Sequence, residues 1–237
     1  MREVQLGGLK VRVVGGIDGH GGGDGPVVIL LHGFGAPGDD LVPLAHVIQA
    51  PRGTRWLFPE APLSLTMGLG DARAWWIIDF ARIQADRAAG RIRDLSVEVP
   101  QGLALARERI LTFLKELPRQ FPVDYRKAVI GGFSQGAMLT CDAVLHTDYP
   151  FTGLVQLSGN LLAQAVWAPL MQKRKGMPVF QSHGIHDDVL PNIGAERLRD
   201  ALHRAGLAVE WLSFRGGHEI PGEVLRRLGL FITKRLG

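Results

Sequence analysis

Cysteine is nearly absent from this sequence, since Cys141 is the only one among 237 residues. A chain with one cysteine forms no intrachain disulfide and no multi-cysteine metal site. Apolar runs of the roughly 18 residues needed to cross a bilayer are also lacking. The first residues, Met1 to Gln5, show neither the basic start nor the apolar stretch of a secretory signal. These absences predict a cytoplasmic protein without a membrane span.

Linker-like tracts and internal repeats are lacking as well. The glycine-rich run over residues 15–25 stops just before a strongly apolar segment, and we interpret it as a hairpin or loop between early strands. With 46% apolar and 21% charged residues, the chain can bury a sizeable core. We therefore expect one domain over residues 1–237.

The charge balance is basic, with a net charge of +4 and a pI near 9.6. Such a balance is typical of nucleic-acid-binding proteins, so this class has to be considered. The basic residues fall in dispersed clusters at 87–93, 173–175 and 226–227, without interleaved aromatic residues. This pattern favours a solvated, arginine-rich surface over a nucleic-acid site.

Short apolar runs alternate along the chain with segments of helical periodicity. Predicted strands cover 11–14 (an edge strand), 27–31, 56–58, 128–132, 153–157, 178–182 and 209–213. Predicted helices cover 41–48, capped by Asp39 or Asp40; 100–117, with Pro100 in the first turn and Pro118 ending it; 137–145; 195–205, closed by Gly206; and 224–232. This alternation predicts an α/β fold, a mostly parallel sheet with helices on both faces and reactive groups at the carboxyl ends of its strands.

Residues 132–136 read Gly-Phe-Ser-Gln-Gly, a G-x-S-x-G string placed between a predicted strand and a predicted helix. A tight strand-to-helix turn strains its central residue, and flanking glycines remove the clashes that a Cβ would cause. The hydroxyl of Ser134 would then stand clear of the sheet at a helix amino terminus, where negative charge is stabilised. The context indicates a nucleophile rather than a helix-capping serine.

A serine nucleophile needs a histidine base and an acid that orients it. After one predicted strand comes the segment 183–191, with Asp187 and Asp188 as candidate acids, and after the next comes His218. Both lie where carboxyl-end loops are expected, in the order acid then histidine. His183 and His186 precede the acid and would break that order.

Two other interpretations of these residues are less favoured. The segment 183–191 is too short to bring four side chains together around one metal ion, so no metal is expected. Cys141, two helical turns after the serine, is interpreted as a buried thiol.

The oxyanion of an acyl-transfer reaction needs two backbone donors. One is expected to be the N–H of Gln135, which follows the serine, and the other the N–H of Phe34 in the glycine-rich loop after the strand 27–31. His32 in the same loop is interpreted as a structural hydrogen-bonding residue.

Five motifs in order make the chain similar to the phospholipase/carboxylesterase family of small α/β-hydrolases. They are Leu-Leu-His-Gly-Phe-Gly at 30–35, Phe-Pro-Glu-Ala-Pro at 58–62 with Ala-Trp-Trp at 74–76, Gly-Phe-Ser-Gln-Gly-Ala at 132–137, His-Gly-Ile-His-Asp-Asp-Val-Leu-Pro at 183–191, and Gly-His at 217–218. The resemblance implies Ser134 as nucleophile, Asp187 as acid, His218 as base, and the N–H groups of Phe34 and Gln135 as oxyanion donors.

The resemblance further implies that Trp76, Val189 and the loop 158–161, including Leu161, border the acyl pocket. Asp188 departs from the family, which often has proline there, and residues 63–71 and 82–94 match no pattern of it. The expected function is a carboxylesterase acting on a short-to-medium-chain or aryl ester, without cofactor. Two alternative functions remain open, a thioesterase or lysophospholipase with the same triad and a non-catalytic ligand-binding scaffold. The sequence also leaves open whether the protein forms a homodimer. An apolar rim is expected from Phe34, Leu65, Met67, Leu69, Trp75, Trp76 and Leu161.

Overall fold

The computed structural model describes residues 1–65, 71–79, 81, 85, 88–90 and 94–237. The strands are β1 (Arg2–Leu6), β2 (Leu9–Gly16), β3 (His20–Gly22), β4 (Val27–Leu31), β5 (Arg55–Pro59), β6 (Leu63–Ser64), β7 (Arg73–Ala74), β8 (Ala128–Phe133), β9 (Gly153–Leu157), β10 (Pro178–Gly184) and β11 (Ala208–Phe214). The α-helices are α1 (Leu44–Val47), α2 (Leu103–Gln120), α3 (Gln135–Leu145), α4 (Gln164–Met171), α5 (Asn192–Arg204) and α6 (Gly222–Leu236).

The central sheet has the order β1-β2-β5-β4-β8-β9-β10-β11, with β3 paired to β2. From β5 to β11 along this order every neighbouring pair is parallel, whereas β2 runs antiparallel to both β1 and β5. The predicted α/β fold with a mostly parallel sheet is confirmed. Because β4, β8, β9, β10 and β11 all run the same way, the loops that follow them meet at one edge of the sheet.

Alternate residues of the central strands supply two separate cores. On β4, Val27, Ile29 and Leu31 face a cluster that includes side chains of α2, α3, α4 and α5. Val28 and Leu30 face the opposite cluster, to which α6 contributes. A strand buried on both faces needs a continuous apolar run, which is why the sequence pattern identified it correctly.

The prediction that residues 11–14 form an edge strand is wrong about the place of this strand in the sheet. Residues 11–14 belong to β2, which is paired on both sides, and β1 is the edge strand. The sequence of β1 gave no alternating signal because four of its five residues are exposed or only partly buried.

Helix α2 departs from prediction at both ends. It begins at Leu103 rather than near Pro100, and it continues to Gln120 with Pro118 inside its last turn. A proline there leaves the carbonyl four residues earlier without its helical donor. That carbonyl belongs to Leu114, and the hydroxyl of Tyr125 donates a hydrogen bond to it instead.

Two smaller helix predictions differ in outcome. The helix predicted at 41–48 is confined to α1, and Pro43 rather than Asp39 or Asp40 occupies its N-cap position. Gly206 follows the C-cap of α5 with φ 84°, as predicted, because the left-handed backbone there favours glycine. Within the described part of the chain, no helix is long and apolar enough to span a membrane.

Candidate active site

Ser134 lies at the turn between β8 and α3 with φ 54° and ψ −118°, a backbone conformation that non-glycine residues rarely adopt. Its N–H donates to the carbonyl of Leu157 on β9 at 2.8 Å. The turn thus projects this side chain from the carboxyl edge of the sheet and in front of the amino terminus of α3, as the G-x-S-x-G string predicts.

The two glycines of the string are required by close packing against β4. A Cβ on Gly132 would lie 2.5 Å from the carbonyl oxygen of Leu31, and one on Gly136 would lie 2.1 Å from it. Such distances are too short for any side chain. The glycines let α3 start directly against the strand that carries the Phe34 loop, so the two predicted oxyanion segments are neighbours.

Asp187 and His218 form the shortest side-chain contact of the site. Nδ1 of His218 lies 2.6 Å from Oδ2 of Asp187. The other oxygen, Oδ1, accepts hydrogen bonds from the N–H groups of Val189 at 2.9 Å and Leu190 at 2.7 Å. These two backbone donors orient the carboxylate toward the histidine.

Asp187 is ionised despite its burial. Burial alone would raise the pKa of this carboxyl group, but hydrogen bonds from His183, His218 and the N–H of Leu190 outweigh it and hold the pKa well below its usual value. A carboxylate that stays charged can fix the proton of His218 on Nδ1, which leaves Nε2 of that ring as the acceptor for a proton.

The neighbouring candidates are placed differently. Asp188 and His186 are exposed, whereas Asp187 is buried against His218. The loops that carry Asp187 and His218 are held together by backbone hydrogen bonds, in which Ile185 N–H donates to the carbonyl of Phe214 and His186 N–H donates to the carbonyl of Gly216. The structure therefore places Asp187, and not Asp188, against His218, and the residue pattern alone left open which of the two would meet it.

Ser134 and His218 line the same cavity, whose volume is about 1020 Å³. The ring of His218 packs against Phe133, with ring centroids 4.7 Å apart. In the described structure no hydrogen bond joins Ser134 Oγ to this ring. Such contacts are commonly long in unliganded enzymes and shorten when substrate binds.

The loop after β4 is held by His32, which is buried. Nε2 of its ring accepts a hydrogen bond from Ala61 N–H at 3.0 Å, so Nδ1 carries the proton and donates to the carbonyl of Gly33 at 2.8 Å. Burial also lowers the pKa of His32, which favours this neutral ring. Both nitrogens bind backbone, as expected for a structural histidine, and Phe34 beside it lines the cavity.

Gln135 has a structural role that the sequence did not reveal. Its side chain is fully buried, with Oε1 accepting from Trp75 N–H at 2.9 Å and Nε2 donating to the carbonyl of Trp76 at 2.8 Å. The indole N–H of Trp75 in turn donates to the carbonyl of His32 at 2.9 Å. One network therefore joins the start of α3, the tryptophan pair and the Phe34 loop.

The cavity includes some of the predicted pocket residues and not others. Trp76 and Val189 line it, as do Phe34 and Trp75. Leu161 does not: it lies under two smaller clefts, and its neighbour Leu162 lines the cavity instead. Leu65 is not part of the described lining, and Met67 and Leu69 lie outside the described residues. A helix that sequence reasoning did not connect with the site, α2, contributes Leu105, Ala106 and Arg109.

Two other predictions concern metal and thiol chemistry. Among the residues that the structure describes, no cluster of three or more histidine, cysteine, aspartate or glutamate side chains is arranged to hold a metal ion. Cys141 is fully buried in α3, and burial raises the pKa of its thiol. The thiol is therefore a packing group, as its position in the helix predicts.

A mostly parallel sheet with a strained serine between strand and helix, and an aspartate–histidine pair in the following carboxyl-end loops, defines the class of α/β-hydrolases. The chain belongs to the phospholipase/carboxylesterase family of these hydrolases, whose family model matches residues 21–236. The resemblance identified from the sequence motifs is thereby confirmed.

Individual relatives carry two kinds of name. The chain is 30% identical over 219 residues to acyl-protein thioesterase 1 of Neurospora crassa, covering 88% of this chain and 86% of that protein. It is 29% identical over 215 residues to a protein of Oryza sativa subsp. japonica named "Probable carboxylesterase", covering 88% and 77%. The crystal structure of esterase PE8 superposes with a TM-score of 0.76 at 25% identity, covering 97% and 98% of the two chains.

Proposed function

We propose that this protein is a serine carboxylesterase in which Ser134 is the nucleophile, His218 the base and Asp187 the orienting acid. The observation that carries the proposal is the 2.6 Å contact between His218 Nδ1 and Asp187 Oδ2, in a cavity that also exposes the strained Ser134. Family membership supports hydrolysis of an acyl bond.

The first half-reaction forms an acyl-enzyme. Nε2 of His218 takes the proton of Ser134 as Oγ attacks the ester carbonyl carbon, and the carbonyl electrons move to oxygen. The N–H groups of Phe34 and Gln135 are the proposed donors to this oxyanion, with the amino terminus of α3 adding positive potential. The tetrahedral intermediate then collapses, the bond to the alcohol oxygen breaks, and His218 returns the proton to the leaving alcohol.

The second half-reaction releases the acid. Water gives a proton to His218 and attacks the acyl carbon, and the resulting intermediate collapses to free the carboxylic acid while Ser134 regains its proton. None of these steps requires a cofactor, since the protein supplies nucleophile, base and oxyanion donors.

The cavity supports a short-to-medium-chain or aryl group as the larger part of the substrate. Its walls include the apolar side chains Leu63, Trp76, Leu105, Met138, Leu162 and Val189. Transfer of apolar substrate surface from water into such a site contributes roughly 25 cal/mol per Å². A volume of about 1020 Å³ leaves room for more than an acetyl group.

A thioesterase is the second candidate, because similar proteins carry the name acyl-protein thioesterase. The triad chemistry is the same, and the difference lies in the leaving group. Lysophospholipase activity belongs to the same alternative. Neither the Asp187–His218 pair nor the cavity lining discriminates among oxygen ester, thioester and lysophospholipid.

The proposal is tested with p-nitrophenyl esters of increasing acyl length, aryl esters, and thioesters and oxygen esters matched in acyl chain. We expect kcat/KM to be highest for an oxygen ester with a short-to-medium acyl chain or an aryl group. Preference for the thioester at every chain length would move the assignment to thioesterase. A fluorophosphonate probe should label Ser134, and peptide mapping should find the label there; absence of any label would favour a non-catalytic scaffold.

Gln135→Met tests whether the tryptophan wall determines chain-length preference. Methionine keeps the volume but loses both hydrogen bonds to the backbone of Trp75 and Trp76. We expect kcat/KM for an octanoyl ester to fall about tenfold more than for an acetyl ester, because only the longer chain depends on the wall position.

The matched control for this variant is Gln181→Met. Gln181 is equally buried but donates to Ala195, away from the cavity. It should leave the octanoyl-to-acetyl ratio within about twofold of wild type, since no cavity contact is lost. An equal loss for both esters in Gln135→Met would show that the side chain supports folding or catalysis without influencing specificity.

A further inference from the structure

His183 is a fully buried histidine on β10 that the proposed mechanism does not use. Its Nε2 lies 3.2 Å from Oδ2 of Asp187 and 2.8 Å from the carbonyl oxygen of Leu190. An ionised carboxylate and a carbonyl are acceptors only. Nε2 of His183 must therefore carry a proton and donate it toward both oxygens.

The other ring nitrogen supports the same tautomer. Nδ1 of His183 is buried and has no hydrogen-bond partner among the described residues. A second proton placed there would be a buried donor without an acceptor, which is costly. The ring is thus an N–H donor directed at Asp187 from the strand that precedes it.

The donors to Asp187 form a closed arrangement. Oδ1 accepts from the N–H groups of Val189 and Leu190, and Oδ2 accepts from His218 at 2.6 Å and lies 3.2 Å from Nε2 of His183. Leu190 also accepts from His183 through its carbonyl. Rotation of the carboxylate would break contacts on both oxygens. Of the two described imidazole groups beside Oδ2, the proposed mechanism assigns proton transfer to His218 and not to His183.

We propose that His183 is a positioning residue that holds Oδ2 of Asp187 in line with Nδ1 of His218, and so keeps Nε2 of His218 directed at Ser134. This inference rests on the triad of the proposed function. A purely structural core histidine would stabilise the fold without influencing turnover through Asp187.

The test uses three substitutions with p-nitrophenyl butyrate as substrate. In His183→Gln the amide N–H can occupy the position of Nε2, in His183→Asn it sits nearer the position of Nδ1, and His183→Leu has no donor. We expect His183→Leu to lower kcat about 100-fold with KM within about threefold, because a displaced catalytic group affects the chemical step. The kcat of the His183→Gln variant should be about tenfold higher than that of the His183→Asn variant. The exposed His186→Gln is the matched control and should stay within about twofold of wild type.

A double-mutant cycle separates positioning from structural support. In an Asp187→Asn background, His183→Leu should lower kcat by less than about threefold, because the group through which it acts is already gone. Losses that multiply in the double variant, or equal kcat for Gln and Asn, would overturn the inference. If the His183→Leu variant does not fold, the comparison of kcat between His183→Gln and His183→Asn still tests the inference. Turnover that persists in Ser134→Ala would instead remove the proposed function itself.

Discussion

Ser134→Ala should lower kcat/KM for p-nitrophenyl butyrate by at least about 10⁴-fold. Alanine removes the oxygen that the proposed mechanism acylates, and the described lining of the cavity contains no other serine, threonine or cysteine. The backbone at φ 54° accommodates alanine about as well as serine, so the strain of the turn is unchanged. Circular dichroism and the thermal midpoint should therefore match wild type, and fluorophosphonate labelling should disappear.

Ser158→Ala is the matched control for this prediction. Ser158 is also buried, has φ 50°, and follows the neighbouring strand β9. It shares the backbone strain of Ser134 without lining the cavity. Its alanine variant should retain activity within about threefold. Residual activity of Ser134→Ala within a few-fold of wild type would contradict the nucleophile assignment.

Asp187→Asn is expected to lower kcat by about 10³- to 10⁴-fold. Oδ2 faces two imidazole N–H groups, since it accepts from Nδ1 of His218 at 2.6 Å and lies 3.2 Å from Nε2 of His183. An amide nitrogen in that position would place donors against donors, and a flipped amide would place the same conflict at Val189 N–H and Leu190 N–H. In the first orientation His218 loses the acceptor that fixes its tautomer, and in the second the conflict with the two backbone N–H groups displaces the side chain from His218. Steady-state kinetics on the purified variant measure the loss.

Asp188→Asn serves as the paired comparison, since it makes the same chemical change one residue along. Asp188 is exposed, so its variant should keep kcat within about threefold. The sequence pattern alone could not order these two carboxylates, and a large loss in Asp188→Asn with a small one in Asp187→Asn would reverse the assignment. A protein that loses activity equally in both would point to loop disruption.

Much of the fold was predictable from the local sequence. The strand at Val27–Leu31 is apolar at every position because both faces of the sheet are covered, and this is visible without coordinates. Edge strand β1 was not predictable from the sequence, since its residues are mostly exposed and carry no periodic signal. The end of α2 was missed because the rule that proline stops a helix ignores Tyr125, which reaches the vacated carbonyl of Leu114 from another segment.

The candidate site, too, was predictable from the sequence only in part. Chain order and strand-end position were enough to propose Ser134 and His218. The sequence did not reveal that Gln135 binds the backbone of Trp75 and Trp76, or that Leu162 rather than Leu161 faces the cavity. Such contacts join segments about 60 residues apart and depend on the direction of each side chain. Neither composition nor spacing records that direction.

By itself, the sequence determined the alternation of the main parallel strands with helices, the strand-to-helix turn at Ser134 and the family, because each depends on neighbouring residues or on motifs along the chain. The family resemblance implied Asp187 as the acid, but only the tertiary structure placed Asp187 rather than Asp188 against His218 and brought Nε2 of His183 to 3.2 Å from the same carboxylate. The physical reason is that two adjacent carboxylates are chemically equal along the chain. Burial and the backbone donors at Val189 and Leu190 make them different.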